Sequence, residues 1–134
     1  MFAIANTDPR WFYELKDLQT LDAANFWTPT PWNVTSIDAG ARLYFMLKSP
    51  IRQIGGYGIF QRYENMSVSE AWRDFGLGNG VTTSKELRDR IVEYALKRSE
   101  RFVDVPDPEI GCIVLKGLTF LDDEDFIDPN LHGV

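Results

Sequence analysis

Apolar positions along the chain repeat with two spacings, about 2 and about 3.6 residues, and the switches between them mark out its elements. Phe2 to Ala5 reads as a short buried strand. Thr7-Asp8-Pro9 then opens a helix over residues 8–18, since Thr7 or Asp8 can cap it and Pro9 suits its first turn. Trp11, Leu15 and Leu18 supply its apolar stripe. Residues 22–40, with Pro29, Pro31 and Asp38-Ala39-Gly40, read mostly as a loop, with a brief strand at Asn25-Phe26-Trp27. Residues 41–47 form a largely buried strand, and Lys48-Ser49-Pro50 turns into a second at 51–63. There Ile54, Gly56, Gly58 and Phe60 share one face. Glycine inside a strand costs stability, so these glycines mark a bulge or the close approach of another backbone or a ligand.

Ser67 or Ser69 caps a short helix that Gly76 closes after Phe75, with Trp72 and Phe75 turned to the core. Thr83 or Ser84, with Glu86, begins a longer helix over residues 84–98, whose Leu87, Ile91, Tyr94 and Ala95 face inward. Gly111 to Lys116 is a last clear strand, and Leu118 to Leu121 extends the sheet. These elements do not alternate as βαβ units. They predict an α+β fold, a strongly bent and mostly antiparallel β-barrel with flanking helices.

Composition narrows the function more than the fold. The net charge of −6 is uneven: residues from 104 onward hold eight acids and one base, whereas residues 1–103 hold 12 acids and 13 bases. Between Arg42 and Tyr63 stand Arg42, Lys48, Arg52 and Arg62 with no acid, so nucleic acid stays an allowed partner. No apolar run approaches the ~20 residues of a membrane span, and residues 1–7 do not read as a signal peptide. The lone Cys112 excludes an internal disulfide and fits a cytoplasmic location.

Asn25-Phe26-Trp27, Phe45-Met46-Leu47-Lys48-Ser49-Pro50, Ile54-Gly55-Gly56-Tyr57-Gly58-Ile59-Phe60, Ala71-Trp72-Arg73-Asp74-Phe75-Gly76 with Asn79-Gly80, and Glu109-Ile110-Gly111-Cys112-Ile113 occur in that order. Together with Thr7 and Trp11, this set resembles the N-terminal half of HNH-type restriction endonucleases. The resemblance implies a PUA-like barrel, similar to EVE, YTH and SRA domains, over residues 1–127. Several of that wider group bind a modified base, often flipped out, in an aromatic-lined pocket. Residues 128–134 then look like the start of a linker or tail leading to an HNH nuclease domain. One departure is Tyr57, where the family has a small residue; it would narrow or reshape the pocket.

A flipped base needs a flat apolar surface and polar groups at its edge. Phe26, Trp27 and Trp32 offer the faces, and Asn25, Ser49, Gly55 and Gly56 the edge, with Tyr57 beside them. Phe26 and Trp27 fit a plug at one end of the barrel equally well. Lys48, Arg52, Arg62 and Asn79 are the expected contacts to the DNA backbone, Arg52 foremost because it follows the turn at the rim. Gly76 to Gly80 lacks the Gly-Lys-Ser/Thr ending of a phosphate loop and reads as a helix cap and turn. Asp122 to Asp125 reads as a solvated acidic run. His132 is the single histidine, so no HNH metal site assembles here, and no catalytic constellation, metal or cofactor is expected.

Three functions compete: a reader of modified cytosine in DNA, including 5-methylcytosine, serving restriction; an RNA-binding PUA-like domain; and a protein-interaction module using the acidic tail and exposed aromatics. A plain oligonucleotide compared with modified ones separates them.

Overall fold

The computed structural model describes residues 2–18, 21–31, 37–97 and 106–132. Five strands, β1 (Phe2–Thr7), β2 (Ala24–Thr28), β3 (Arg42–Leu47), β4 (Ile54–Ser67) and β5 (Glu109–Phe120), form one sheet in the order β1-β3-β4-β5-β2. Only the β1–β3 pair is parallel; β3–β4, β4–β5 and β2–β5 are antiparallel. Three helices flank it: α1 (Pro9–Lys16), α2 (Val68–Phe75) and α3 (Ser84–Lys97).

Each helix begins where its side chains can satisfy free backbone N–H groups. Asp8 caps α1 by accepting from the Arg10 N–H, with Pro9 in the first turn. Ser67, not Ser69, caps α2 through a reciprocal box with Glu70, and Gly76 closes it at φ 49°. Ser69 instead hydrogen-bonds Asp107. The Thr83 hydroxyl accepts from the Glu86 N–H at the start of α3.

The sheet bends at register shifts in β4, between Tyr57 and Ile59 and between Phe60 and Arg62. Bending brings its two ends together around one interior. Phe26 on β2 stacks on Phe45 of β3, with centroids 6.3 Å apart and planes 3° from parallel, although two strands separate theirs in the sheet. Trp11 meets both rings edge-on at 5.2 Å. Phe12, Leu15, Phe45, Leu47 and Leu115 are fully buried here, each worth about 1.5–3 kcal/mol. A second cluster (Met66, Val68, Ala71, Val81, Leu87, Ile91, Ile110 and Cys112) packs α2 and α3 onto the outside of the sheet.

Residues 51–53 join the turn rather than β4, and 118–120 continue β5, extending the sheet. After β5, the Ile127 and Ile54 backbones exchange hydrogen bonds of 2.9 and 2.8 Å, and Pro129 is buried. The segment expected as a linker therefore begins packed against the barrel. No helix among the described residues is long and apolar enough to cross a membrane.

Candidate functional site

β1 and β2 are the two edges of the sheet, and the barrel stays open between them. A cleft of about 340 Å³ occupies this opening, walled by Ile4 to Thr7 on one side and Phe26 to Pro29 on the other. Trp11 closes its inner end, where its Nε1–H donates to the Asn25 carbonyl at 3.1 Å. Asp8, Lys48 and Tyr94 complete the lining.

The β1 wall is a strand edge. The Lys48 N–H donates to the Thr7 carbonyl at 3.0 Å, so Thr7, Ala5 and Ala3 turn their peptide groups toward β3. By alternation Ile4 and Asn6 turn theirs into the cleft, each presenting one donor and one acceptor. The opposite wall is aromatic. The half-buried Trp27 is held by its Nε1–H, which donates to the Asn79 carbonyl at 3.0 Å. It meets Tyr94 edge-on, with centroids 5.9 Å apart.

A chain of charged and polar groups crosses the cleft. The Tyr94 hydroxyl donates to Asp8 Oδ2 at 2.6 Å and accepts from Lys48 Nζ at 3.1 Å. The Lys48 ammonium also lies 4.3 Å from the Tyr94 ring centroid. Burial raises the Asp8 carboxyl, but hydrogen bonds from Arg10 and Tyr94 outweigh it and hold the pKa at about 2. Burial and then Asp8 push the Tyr94 hydroxyl up to about 12. At neutral pH Asp8 is therefore a carboxylate and Tyr94 a neutral phenol.

A second cavity of about 420 Å³ adjoins the first, sharing Asn6 and Lys48. Ser49 and Arg52 line it on one side, Pro129 and Asn130 on the other. Arg52 is exposed and adopts φ 51°, a left-handed conformation unusual for a side-chain-bearing residue.

The fold thus brings together Phe26, Trp27 and Lys48, and sets Ser49 and Arg52 next to them. Other expected site residues lie elsewhere. Asn25 and Asn79 are both 0% exposed and bonded to each other, Asn25 Nδ2 donating to Asn79 Oδ1 at 2.9 Å. Asn79 Nδ2 also donates to the Ala71 and Gly76 carbonyls. Neither asparagine side chain lines the cleft, and Asn79 is an internal clamp rather than a surface contact. Gly55 and Gly56 do not leave room for a base. A Cβ on Gly55 would lie 2.7 Å from the Phe12 ring, and one on Gly56 would lie 2.1 Å from the Thr119 carbonyl oxygen.

Tyr57 leaves the cleft unaltered: it packs against Tyr44 at 5.5 Å with the Arg42 guanidinium 4.3 Å from its ring. Arg62 pairs with Glu64 at 2.7 Å and lines a separate cavity beside Lys116. Arg42 stands at the far end of β3 from Lys48, roughly 20 Å away at strand rise. Trp32 lies outside the described residues. In the acidic tail, Asp123 bonds Lys16 and Tyr13, and beyond it Pro129 and Asn130 border the second cavity. Asp122, Glu124 and Asp125 are exposed.

Sequence reasoning missed Asp8 and Tyr94 as site residues, reading one as a helix cap and the other as core. Both readings hold in part, since Asp8 does cap α1 and Tyr94 is half-buried. The signal was the Tyr94 hydroxyl, which at a half-buried position needs a polar partner.

No family model matches the chain, and no curated protein matches it. Solved structures do. The crystal structure of the ASCH protein from Zymomonas mobilis is 10% identical, with a TM-score of 0.55, over 98% of this chain and 93% of that one. A tyrosine-to-phenylalanine mutant of the same protein is 11% identical, with a TM-score of 0.57, over 100% and 99%. At such identities the likeness is one of fold. The strand order, the bent mostly antiparallel sheet and these neighbours agree that the chain folds as a PUA-like α+β barrel.

Proposed function

We propose that this barrel binds DNA and reads a modified base, a modified cytosine, by holding it flipped out in the cleft between β1 and β2. The chain acts as the targeting half of a modification-dependent HNH restriction endonuclease: it binds, and cutting belongs to another domain. The observation that carries this reading is the cleft itself, an aromatic wall at Phe26 and Trp27 facing a strand edge at Ile4 and Asn6. Its volume of about 340 Å³ suits a small ligand.

The chemistry matches a flipped base. Stacking on an aromatic side chain is worth roughly 1–3 kcal/mol per base. A cytosine edge sets an amino donor beside a ring-nitrogen acceptor, which the alternating N–H and C=O groups of a strand edge complement. Lys48 and Arg52 both line the adjoining cavity, and in this reading they receive phosphates. The nuclease partner rests on the ordered sequence segments described above.

The deciding experiment titrates one DNA oligonucleotide, plain and carrying 5-methyl-, 5-hydroxymethyl- or glucosylated cytosine, with an RNA counterpart. Wild-type protein should prefer one modified DNA. Trp27→Ala, shown folded by its unfolding curve, should lose that preference while retaining general affinity. Full discrimination in a folded Trp27→Ala would remove Trp27 as the platform. Equal binding of every DNA would end the reading.

A further inference from the structure

Outside the cleft, the register of β1, β3, β4 and β5 lines up two rows of side chains on the outer face of the sheet. One row runs Ile4, Tyr44, Tyr57, Thr119. The next runs Phe2, Arg42, Ile59, Lys116. Residues paired across strands point to the same face, and the opposite face is the filled interior around Leu43, Phe45 and Phe60.

The first row is aromatic at its centre. Tyr44 and Tyr57 sit with centroids 5.5 Å apart, and Phe2 stands edge-on to Tyr44 at 5.7 Å. Phe2 is 59% exposed, a high value for a phenylalanine with a neighbouring ring to pack on. The second row carries two exposed cations, Arg42 and Lys116, and neither row contains an acid. Arg42 joins the rows, its guanidinium 4.3 Å from the Tyr57 ring and donating to the Tyr44 hydroxyl at 3.3 Å.

We infer that these rows form a track for the single-stranded nucleotides that flank the base held in the cleft. Bases stack over Tyr44, Tyr57 and the Arg42 plane, while phosphates run along Arg42 and Lys116. Aromatic rings with cations alongside suit single-stranded nucleic acid because every base has a stacking face and every nucleotide a charge. The track is continuous with the cleft, since Ile4 begins the first row and also lines the cleft wall. From Ile4 to Tyr57 is two strand spacings, roughly 10 Å, a reach of one or two nucleotides. The inference rests on the cleft reading for where the strand enters.

The test uses fluorescein-labelled single-stranded oligonucleotides with one 5-hydroxymethylcytosine and thymidine flanks of increasing length, as DNA and as the RNA equivalent. Affinity for wild-type protein should rise with flank length and then level off. The Tyr44→Ala/Tyr57→Ala double variant should lose that rise, on the order of ten-fold, with the shortest oligonucleotide unaffected. Phenylalanine at both positions should restore it. Because the tyrosines are half-buried, Lys116→Glu provides an exposed control that leaves the packing alone and should also flatten the rise. A length-independent wild-type affinity, or a rise that survives in every variant, overturns the track and leaves the cleft reading standing. A rise abolished by the variants, with marked and plain strands bound alike, keeps the track and removes base reading. Failure of all oligonucleotides to bind overturns the track and turns the search to a protein partner for these rows.

Discussion

Tyr94 and Asp8 meet across the mouth of the barrel, the phenol donating to the carboxylate at 2.6 Å. Through this bond α3 is tied to the residue that leaves β1 and caps α1. The same hydroxyl accepts from Lys48, which follows β3. Three segments far apart in sequence therefore fix one polar corner of the cleft. Arg10 extends the contact outward by bridging Asp8 and Glu93, each at 2.7 Å.

This corner should make stability depend on pH in acid. The Asp8 carboxyl lies at about 2 in the fold against an ordinary 3.8. A depressed folded pKa contributes stability above the unfolded value, and that contribution disappears as pH falls through the folded one. Thermal unfolding of wild type and Asp8→Asn should differ most near neutral pH, and the two curves should converge toward about pH 2. A gap that stays constant through the acid range would mean that Asp8 acts by packing alone.

Asn79 should prove structural. Its side chain donates to the Ala71 and Gly76 carbonyls and accepts from Asn25, all in a buried setting. Asn79→Ala leaves those groups short of partners, at a cost on the order of 3 kcal/mol in chemical denaturation. The Trp27 indole bonds the Asn79 backbone carbonyl, which alanine retains. DNA affinity and its salt slope should thus be unchanged for the folded variant. Weaker binding at wild-type stability would return Asn79 to the DNA interface.

Much of this architecture was legible locally. Ser67 with Glu70, and Thr83 with Glu86, carry their capping logic within a few residues. The apolar run at 41–47 reads as a strand on its face, although within β3 the structure buries only the alternate positions Leu43, Phe45 and Leu47. The cleft was less legible because it is made by two sheet edges that are not neighbours. Nothing local says that β2 pairs with β5, Trp27 opposite Cys112, or that β1 is left opposite β2 by the bend. The glycines misled for a related reason. A glycine spared a side chain looks the same whether a ligand or a backbone takes the space, and at Gly56 the occupant is the Thr119 carbonyl.

Arg52 offers a way to separate backbone strain from binding. It holds φ 51° while its N–H donates to the Leu47 carbonyl at 3.0 Å, so the turn needs this conformation whatever the side chain. Arg52→Ala keeps the left-handed strain, about 1–2 kcal/mol for a residue with a Cβ. Arg52→Gly relieves it, although the freedom of glycine in the unfolded chain offsets part of the gain. Both variants remove the guanidinium from the second cavity. If that group holds a phosphate, both should weaken marked and plain DNA alike, and the duplex salt slope should become shallower by about 0.9. The glycine variant should nevertheless unfold at a higher temperature than the alanine variant. Equal losses in binding with unequal stability would assign the strain to the turn and the charge to the phosphate. A selective loss of marked DNA in both variants would instead move Arg52 from the phosphate to the edge of the base.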